Sequence, residues 1–178
     1  PHSSDPVLIL PASFVKSDNG TGIVMSVPAH APFDYQALLD SKSGKNKSIN
    51  SDLLKNIQNI EPISMIKTEG LGDIPAKDIV ERMGISDQDD PKLEDATKEI
   101  YSKEFYEGIL ADNTKQFAGK KISEAKDEIK EWITEIESAD ILLELTNSPV
   151  KCRCGAECVV KLLSNQWFLD YSNKDWKQ

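Results

Sequence analysis

A mixed α+β fold is what this sequence predicts, on three observations. Two β-branched, apolar runs, "VLILPASFV" and "GIVMSVPA", stand near the N-terminus; apolar residues recur at helical spacing from Leu93 to Ile136; and "QWFLDYS" brings strand-like composition back near the C-terminus. The expected architecture is a β-rich core, an inserted acidic amphipathic helical pair, and a β-rich cysteine-knuckle segment. With 178 residues and 39% hydrophobic content the chain can bury one core with an appended piece, and no run approaches a membrane span. Pro1, in place of an initiator methionine, reads as the start of a processed or excised piece.

In chain order, "VLILPASFV" and "GIVMSVPA" read as core strands joined by the turn "KSDNGTG". Pro28 and Pro32 forbid regular continuation of the second, so a rigid loop carrying His30 follows it. Asp34 then stands at or near a helix start, with Tyr35, Leu38 and Leu39 spaced as a short helix face. Next, "SKSGKNKSIN" reads as an exposed loop, and "ISMIKTEG" resumes strand character. "GLGDIPAKDIVERMGI" predicts a turn and a short helix, with Pro75 in its first turn and Ile79, Val80 and Met83 as its apolar stripe.

The strongest helix signal comes next. Asp90 and Pro91 read as cap and first turn of a helix whose buried side takes Leu93, Ala96, Ile100, Phe105 and Ile109. A second helix carries Ile122, Ala125, Ile129, Trp132, Ile133 and Ile136 at helical spacing, and an antiparallel pair is the simplest arrangement. The net charge of -9 resides here: Ile85 to Leu145 holds 17 acidic residues against 8 lysines, while the rest of the chain holds 13 of each sign. No broad basic surface remains to draw in nucleic acid unaided, so contact with RNA must be local or supplemented from elsewhere. The acidic faces read as solvated surface.

Composition shifts again near Asn147 to Val150, giving expected domains of 1–148 and 149–178. The knuckle "CRCGAEC" is C-x-C-x3-C, and neither His2 nor His30 is spaced to complete a tetrahedral zinc shell. Cys152 and Cys154 therefore read either as half a zinc site whose partner cysteines lie outside this chain, or as reduced cysteines in a metal-free turn. Three clustered cysteines make no secreted disulfide framework and fit a reducing cytoplasm.

Read locally, Asp34 is a helix N-cap and His30 a lone structural histidine. "GTG" leads into "IVMSV" rather than into a helix N-terminus, which argues against a phosphate cradle. A resemblance sharpens this picture. "ILPASFV", "GTGIVMSVPAHAPFDYQAL", "GLGDIPAKDIVERMGI", "EFYEGILADNTKQFAGKKISEAKDEIKEW" and "CRCG" with "VVKLLSNQWFLDYSNKDWK" together resemble the leucyl-tRNA synthetases in their archaeal form, in order, through nearly the whole chain.

The resemblance implies part of a larger enzyme. Residues 1–148 look like the later portion of an inserted editing domain that hydrolyses leucine tRNA bearing a non-cognate amino acid, and 149–178 like the cysteine knuckle and the return towards the synthetic core. The HIGH-like and KMSKS-like signatures of the synthetic site are absent from the sequence, as is the threonine-rich first part of the editing pocket. Aminoacylation, with its ATP and magnesium, is thus not expected of these residues; editing requires no cofactor, and zinc belongs to the intact enzyme. The family's pattern puts the α-ammonium of the aminoacyl group on the Asp34 position, an adaptable apolar wall at Met25, close backbone approach to the terminal adenosine at Asn19, Gly20, Thr21 and Gly22, and a positioning or water contact at His30. Bacterial relatives carry an acidic residue in "HDxRD" where this chain has Ala31, a difference of lineage. Expected partners are the tRNA 3′ end and the remaining domains of the same synthetase, in the cytoplasm and without a membrane. Two other classes compete: a non-catalytic portion serving tRNA placement or interdomain docking, and an unrelated zinc-ribbon protein using "CRCGAEC" on nucleic acid. The agreement of five ordered segments disfavours the last.

Overall fold

A computed structural model of the chain describes residues 7–17, 21–44, 48–145, 147, 149–160 and 164–176. They divide into two units, Pro1–Asp140 and Ile141–Gln178. In the first, helices α1 (Pro32–Lys42), α2 (Ser51–Gln58), α3 (Pro75–Met83), α4 (Lys92–Glu107) and α5 (Ile122–Glu135) accompany a two-stranded antiparallel ladder of β1 (Ile66–Lys67) and β2 (Ile109–Leu110). The fold is mixed helix and sheet as expected, but its weight is helical. Among the described residues this ladder is the only sheet.

Local chemistry places the helices. Pro32 and Pro75 open α1 and α3, where a missing N–H costs nothing and the ring presets φ. Gly84 ends α3 in the left-handed conformation, and the Ile85 N–H returns to the Val80 carbonyl. Ahead of α4 the Asp90 carboxylate accepts the Lys92 N–H at 3.0 Å, the cap read from the sequence. Asn50 caps α2 by accepting the Leu53 N–H at 2.8 Å. That helix had no counterpart in the sequence reading, although Asn50 followed by Leu53, Leu54 and Ile57 was its signal.

The core lies where α1, α3 and α4 meet: Tyr35, Ala76, Ile79, Val80, Ile85, Leu93, Ala96 and Ile100 are buried together. Each large aliphatic member contributes about 1.5–3 kcal/mol by leaving water. On α5, Ile122, Ala125, Ile129, Trp132, Ile133 and Ile136 are the positions withdrawn from solvent, and the helix packs on α4. Gly108 sits at the junction of α4, β1 and α5. A Cβ there would lie 2.3 Å from the Glu104 carbonyl oxygen and 2.8 Å from Ile66 Cγ2, so only glycine fits.

Several strand expectations are corrected. "VLILPASFV" and "GIVMSVPA" form no ladder among the described residues, and of "ISMIKTEG" only Ile66–Lys67 pairs. Val7, Ile9, Ile23, Val24 and Met25 face solvent instead, Met25 at 77% exposure. The reason is physical: β-branched composition expresses fitness for a half-buried pleated surface, and without a partner strand that surface does not exist. "VLILPASFV" is nonetheless fastened at its far end, where Phe14 packs on Phe33 and the Ser13 hydroxyl donates to Asp89 at 2.6 Å. The exposed loop expected from Ser41 also begins later, since Ser41 and Lys42 complete α1 and Ser41 is buried.

In the second unit the β-rich expectation is likewise not met among the described residues. A lone bridge joins Lys151 and Glu157, a 3-10 turn spans Lys174–Trp176, and Trp167, Phe168, Leu169 and Tyr171 are exposed, Trp167 at 99%.

Candidate functional site

Between Ser26 and Asp34 the chain makes a compact loop. The Val27 carbonyl accepts both the His30 and the Ala31 N–H, each at 3.0 Å, while the Val27 N–H donates to Asp34 Oδ2 at 2.7 Å. One residue, Val27, therefore both closes the turn through its carbonyl and holds the carboxylate through its N–H. The Ala29 carbonyl accepts the Ala76 N–H at 3.1 Å, tying the loop to the start of α3.

Asp34 is not the N-cap that a local reading suggests. Ala31 occupies that place, with φ -102° and ψ 113° and no side-chain cap, so Asp34 falls inside the first turn. There its charge suits the positive end of the helix dipole, and its carboxylate reaches back along the chain instead of capping. The side chain is half-buried. Burial raises its carboxyl above the ordinary value, against the opposing pull of the Val27 N–H and the Ser26 side chain.

His30 is buried, and both of its ring nitrogens are engaged. The Met65 N–H donates to Nε2 at 2.9 Å, so Nε2 carries no proton; Nδ1 then carries it and donates to Glu104 Oε1 at 2.7 Å. Glu104 itself is 5% exposed. The sequence reading missed it by placing Phe105 on the buried side, yet the stripe Leu93, Ala96, Ile100 continues by four residues to Glu104. A second buried carboxylate, Asp40, accepts Gln36 Nε2 and the Gln88 N–H, each at 2.9 Å, and joins α1 to the loop before α4.

The other site candidates are placed less closely. Asn19 and Gly20 lie outside the described residues. The Thr21 hydroxyl accepts the Ile23 N–H at 3.3 Å, and Gly22 turns with φ +70°, where an added Cβ would meet the Ser17 carbonyl oxygen at 3.0 Å. Among the described residues no hydrogen bond joins Thr21, Gly22 or Met25 to Asp34 or His30. In the second unit Cys152 and Cys154 are bonded to each other, with their Cα atoms 5.4 Å apart, and Cys158 is the free thiol. Disulfide sulfurs are not thiolates, and no group of three or more His, Cys, Asp and Glu converges as a metal site among the described residues. The described residues therefore do not complete a four-ligand zinc shell by themselves. No helix among the described residues is long and apolar enough to cross a membrane.

Comparison with known proteins gives this loop a family. No family model matches the chain. The leucine–tRNA ligase of Archaeoglobus fulgidus is 46% identical over 174 residues, 97% of this chain and 19% of that protein. That of Methanosarcina mazei is 49% identical over 179 residues, 99% of this chain and 18% of that protein. The chain thus spans about a fifth of the length of these curated relatives. Among solved structures, GlLeuRS-CP1 aligns with a TM-score of 0.66 at 26% identity, covering 78% of this chain and 54% of that one. The editing domain of the Plasmodium falciparum cytosolic leucyl-tRNA synthetase aligns with a TM-score of 0.67 at 25% identity, covering 76% and 45%. Aligned along nearly its whole length with archaeal leucine–tRNA ligases and folded like editing domains of the same enzymes, the chain belongs to the leucyl-tRNA synthetase family, of which it represents one segment.

Proposed function

We propose that residues 1–148 are the later portion of an editing domain that hydrolyses leucine tRNA carrying a non-cognate amino acid, and that 149–178 lead back towards the synthetic core. The observation that carries this reading is the state of Asp34: a half-buried carboxylate in a proline-bounded loop, held by the Val27 N–H and relieved of any capping duty. Held in this way, the carboxylate can receive the α-ammonium of the aminoacyl group in a charge-assisted hydrogen bond. The ester is already activated, so orientation and stabilisation of the developing oxyanion suffice for attack by water, without a Ser, Cys or metal nucleophile. His30 is a positioning residue, since both its nitrogens are spent within the fold. Met25 and the Asn19–Gly22 turn are assigned to the aminoacyl wall and the terminal adenosine. The reaction needs no cofactor, and ATP-dependent leucylation in the cytoplasm belongs to other parts of the synthetase.

The test is deacylation of misacylated leucine tRNA by the intact synthetase carrying Asp34→Asn or Asp34→Ala, run beside leucylation. Loss of most deacylation with leucylation retained is the expected result; wild-type deacylation in the Asn variant would sink the role of Asp34. A second reading, a tRNA-placement or interdomain portion inactive on its own, is favoured by the exposed apolar residues at Val7, Ile9, Ile23 and Val24. A chain that fails to deacylate although the intact enzyme succeeds would support it.

A further inference from the structure

The His30–Glu104 pair lies outside the role given to Asp34, yet it is bonded to the same turn. We propose that Glu104 is a positioning residue for editing: from the buried side of α4 it anchors His30, and through His30 it fixes the turn whose Val27 amide holds Asp34. This deepens the editing reading and rests on it.

Burial makes the pair expensive unless each member is satisfied. A carboxylate on the stripe of α4 that also carries Leu93, Ala96 and Ile100 has left water, and it persists because the His30 Nδ1–H meets it at 2.7 Å. The Met65 N–H, donated to Nε2 at 2.9 Å, selects the tautomer that makes this donation available. His30 is thereby clamped between α4 and the residue before β1. Its backbone belongs to the turn closed on the Val27 carbonyl, and the N–H of that same residue holds Asp34. One backbone bond, from the Ala76 N–H to the Ala29 carbonyl, fastens the loop to α3, whereas the hydrogen bond between the loop and α4 among the described residues joins one imidazole to one carboxylate. Without the carboxylate, His30 Nδ1–H is left unsatisfied in a buried place and the turn is free to reorient, taking the Asp34 carboxylate with it.

The variants Glu104→Ala, Glu104→Asp and Glu104→Gln separate anchoring from mere packing. Alanine removes the acceptor, aspartate keeps the charge but falls short by one methylene, and glutamine keeps a neutral acceptor at full reach. In the 178-residue chain, hydrogen exchange at the Val27 amide should quicken by about tenfold or more in the Ala and Asp variants, stay near wild type in the Gln variant, and leave the Ile79 and Val80 amides of α3 unchanged. In the intact synthetase, deacylation should fall by about tenfold or more in the Ala variant, with leucylation retained and Gln restoring most of the loss. Unchanged Val27 exchange in a folded Ala or Asp variant overturns the proposal, as does parallel loss of leucylation and deacylation. Should Glu104→Ala fail to fold, the Asp and Gln variants carry the same comparison. Asp34→Ala is measured alongside: full deacylation in that variant rejects the editing reading, while Val27 exchange still decides whether Glu104 holds the turn.

Discussion

Asparagine at position 34 removes a charge and keeps an acceptor for the Val27 N–H, which spans 2.7 Å in the native chain. The neutral bond is about half as strong as the charge-assisted one, a loss of about 1 kcal/mol. Working the other way, the native carboxyl is raised above its ordinary value by burial. The folded chain therefore keeps a proton on Asp34 to higher pH than the unfolded chain does, and ionisation becomes a cost to stability as pH rises through the folded value. That cost is fully present above the folded value and absent well below the unfolded value. The Asn variant does not bear it. Its stability relative to the native chain should accordingly improve as the pH is raised from about 3 to neutrality, and near neutrality the melting temperatures should agree within about 5 °C. Asp34→Ala behaves differently, because it removes the acceptor of the Val27 N–H altogether, a loss of about 0.5–1.5 kcal/mol that asparagine largely avoids. Thermal and urea unfolding of the chain across this pH range make the measurement. A native chain that gains on the Asn variant as pH rises, or an Asn variant as unstable as the Ala variant at neutrality, would mean instead that the fold itself favours the charge.

Two further outcomes are expected. Gly108→Ala puts a methyl group against the Glu104 carbonyl and Ile66, so urea unfolding should show a loss of about 1–3 kcal/mol or more from overpacking, whereas Gly119→Ala, with nothing within 4 Å of the added Cβ, should cost only the strain of its φ of +80°. Elemental analysis of the purified chain should find zinc well below one equivalent, before and after reduction, because two or three cysteines leave a tetrahedral shell open; stoichiometric zinc that resists a chelator would contradict the donor set described.

Legibility in the sequence followed the range of the interactions. Helices α3, α4 and α5 were readable because proline, glycine, capping residues and 3.6-residue stripes act within one or two turns of the chain. The loop at His30 was readable for the same reason, through Pro28 and Pro32. Strand pairing was not, since "GIVMSVPA" has the composition of a strand whether or not a neighbour exists to receive it. Asp34 was found by its neighbours in the motif, but its attachment to the Val27 N–H inverted the capping role that its position implied. Glu104 escaped because its partner is 74 residues away, and a glutamate in a helix reads as solvent-facing until its register is followed. Family resemblance supplied the candidate chemistry; the tautomer of His30 came only from the contacts at both nitrogens.

The exposed apolar side chains at Val7, Ile9, Ile23, Val24 and Met25 bear on how this chain behaves as a solute. Such residues attract copies of one another, and β-prone segments without a ladder partner add a hydrogen-bonding template to that attraction. Nine net negative charges oppose it by keeping molecules apart at long range. Acidification weakens that repulsion while relieving the ionisation cost at Asp34, so colloidal stability and the contribution of Asp34 to folding are driven in opposite directions by the same protons.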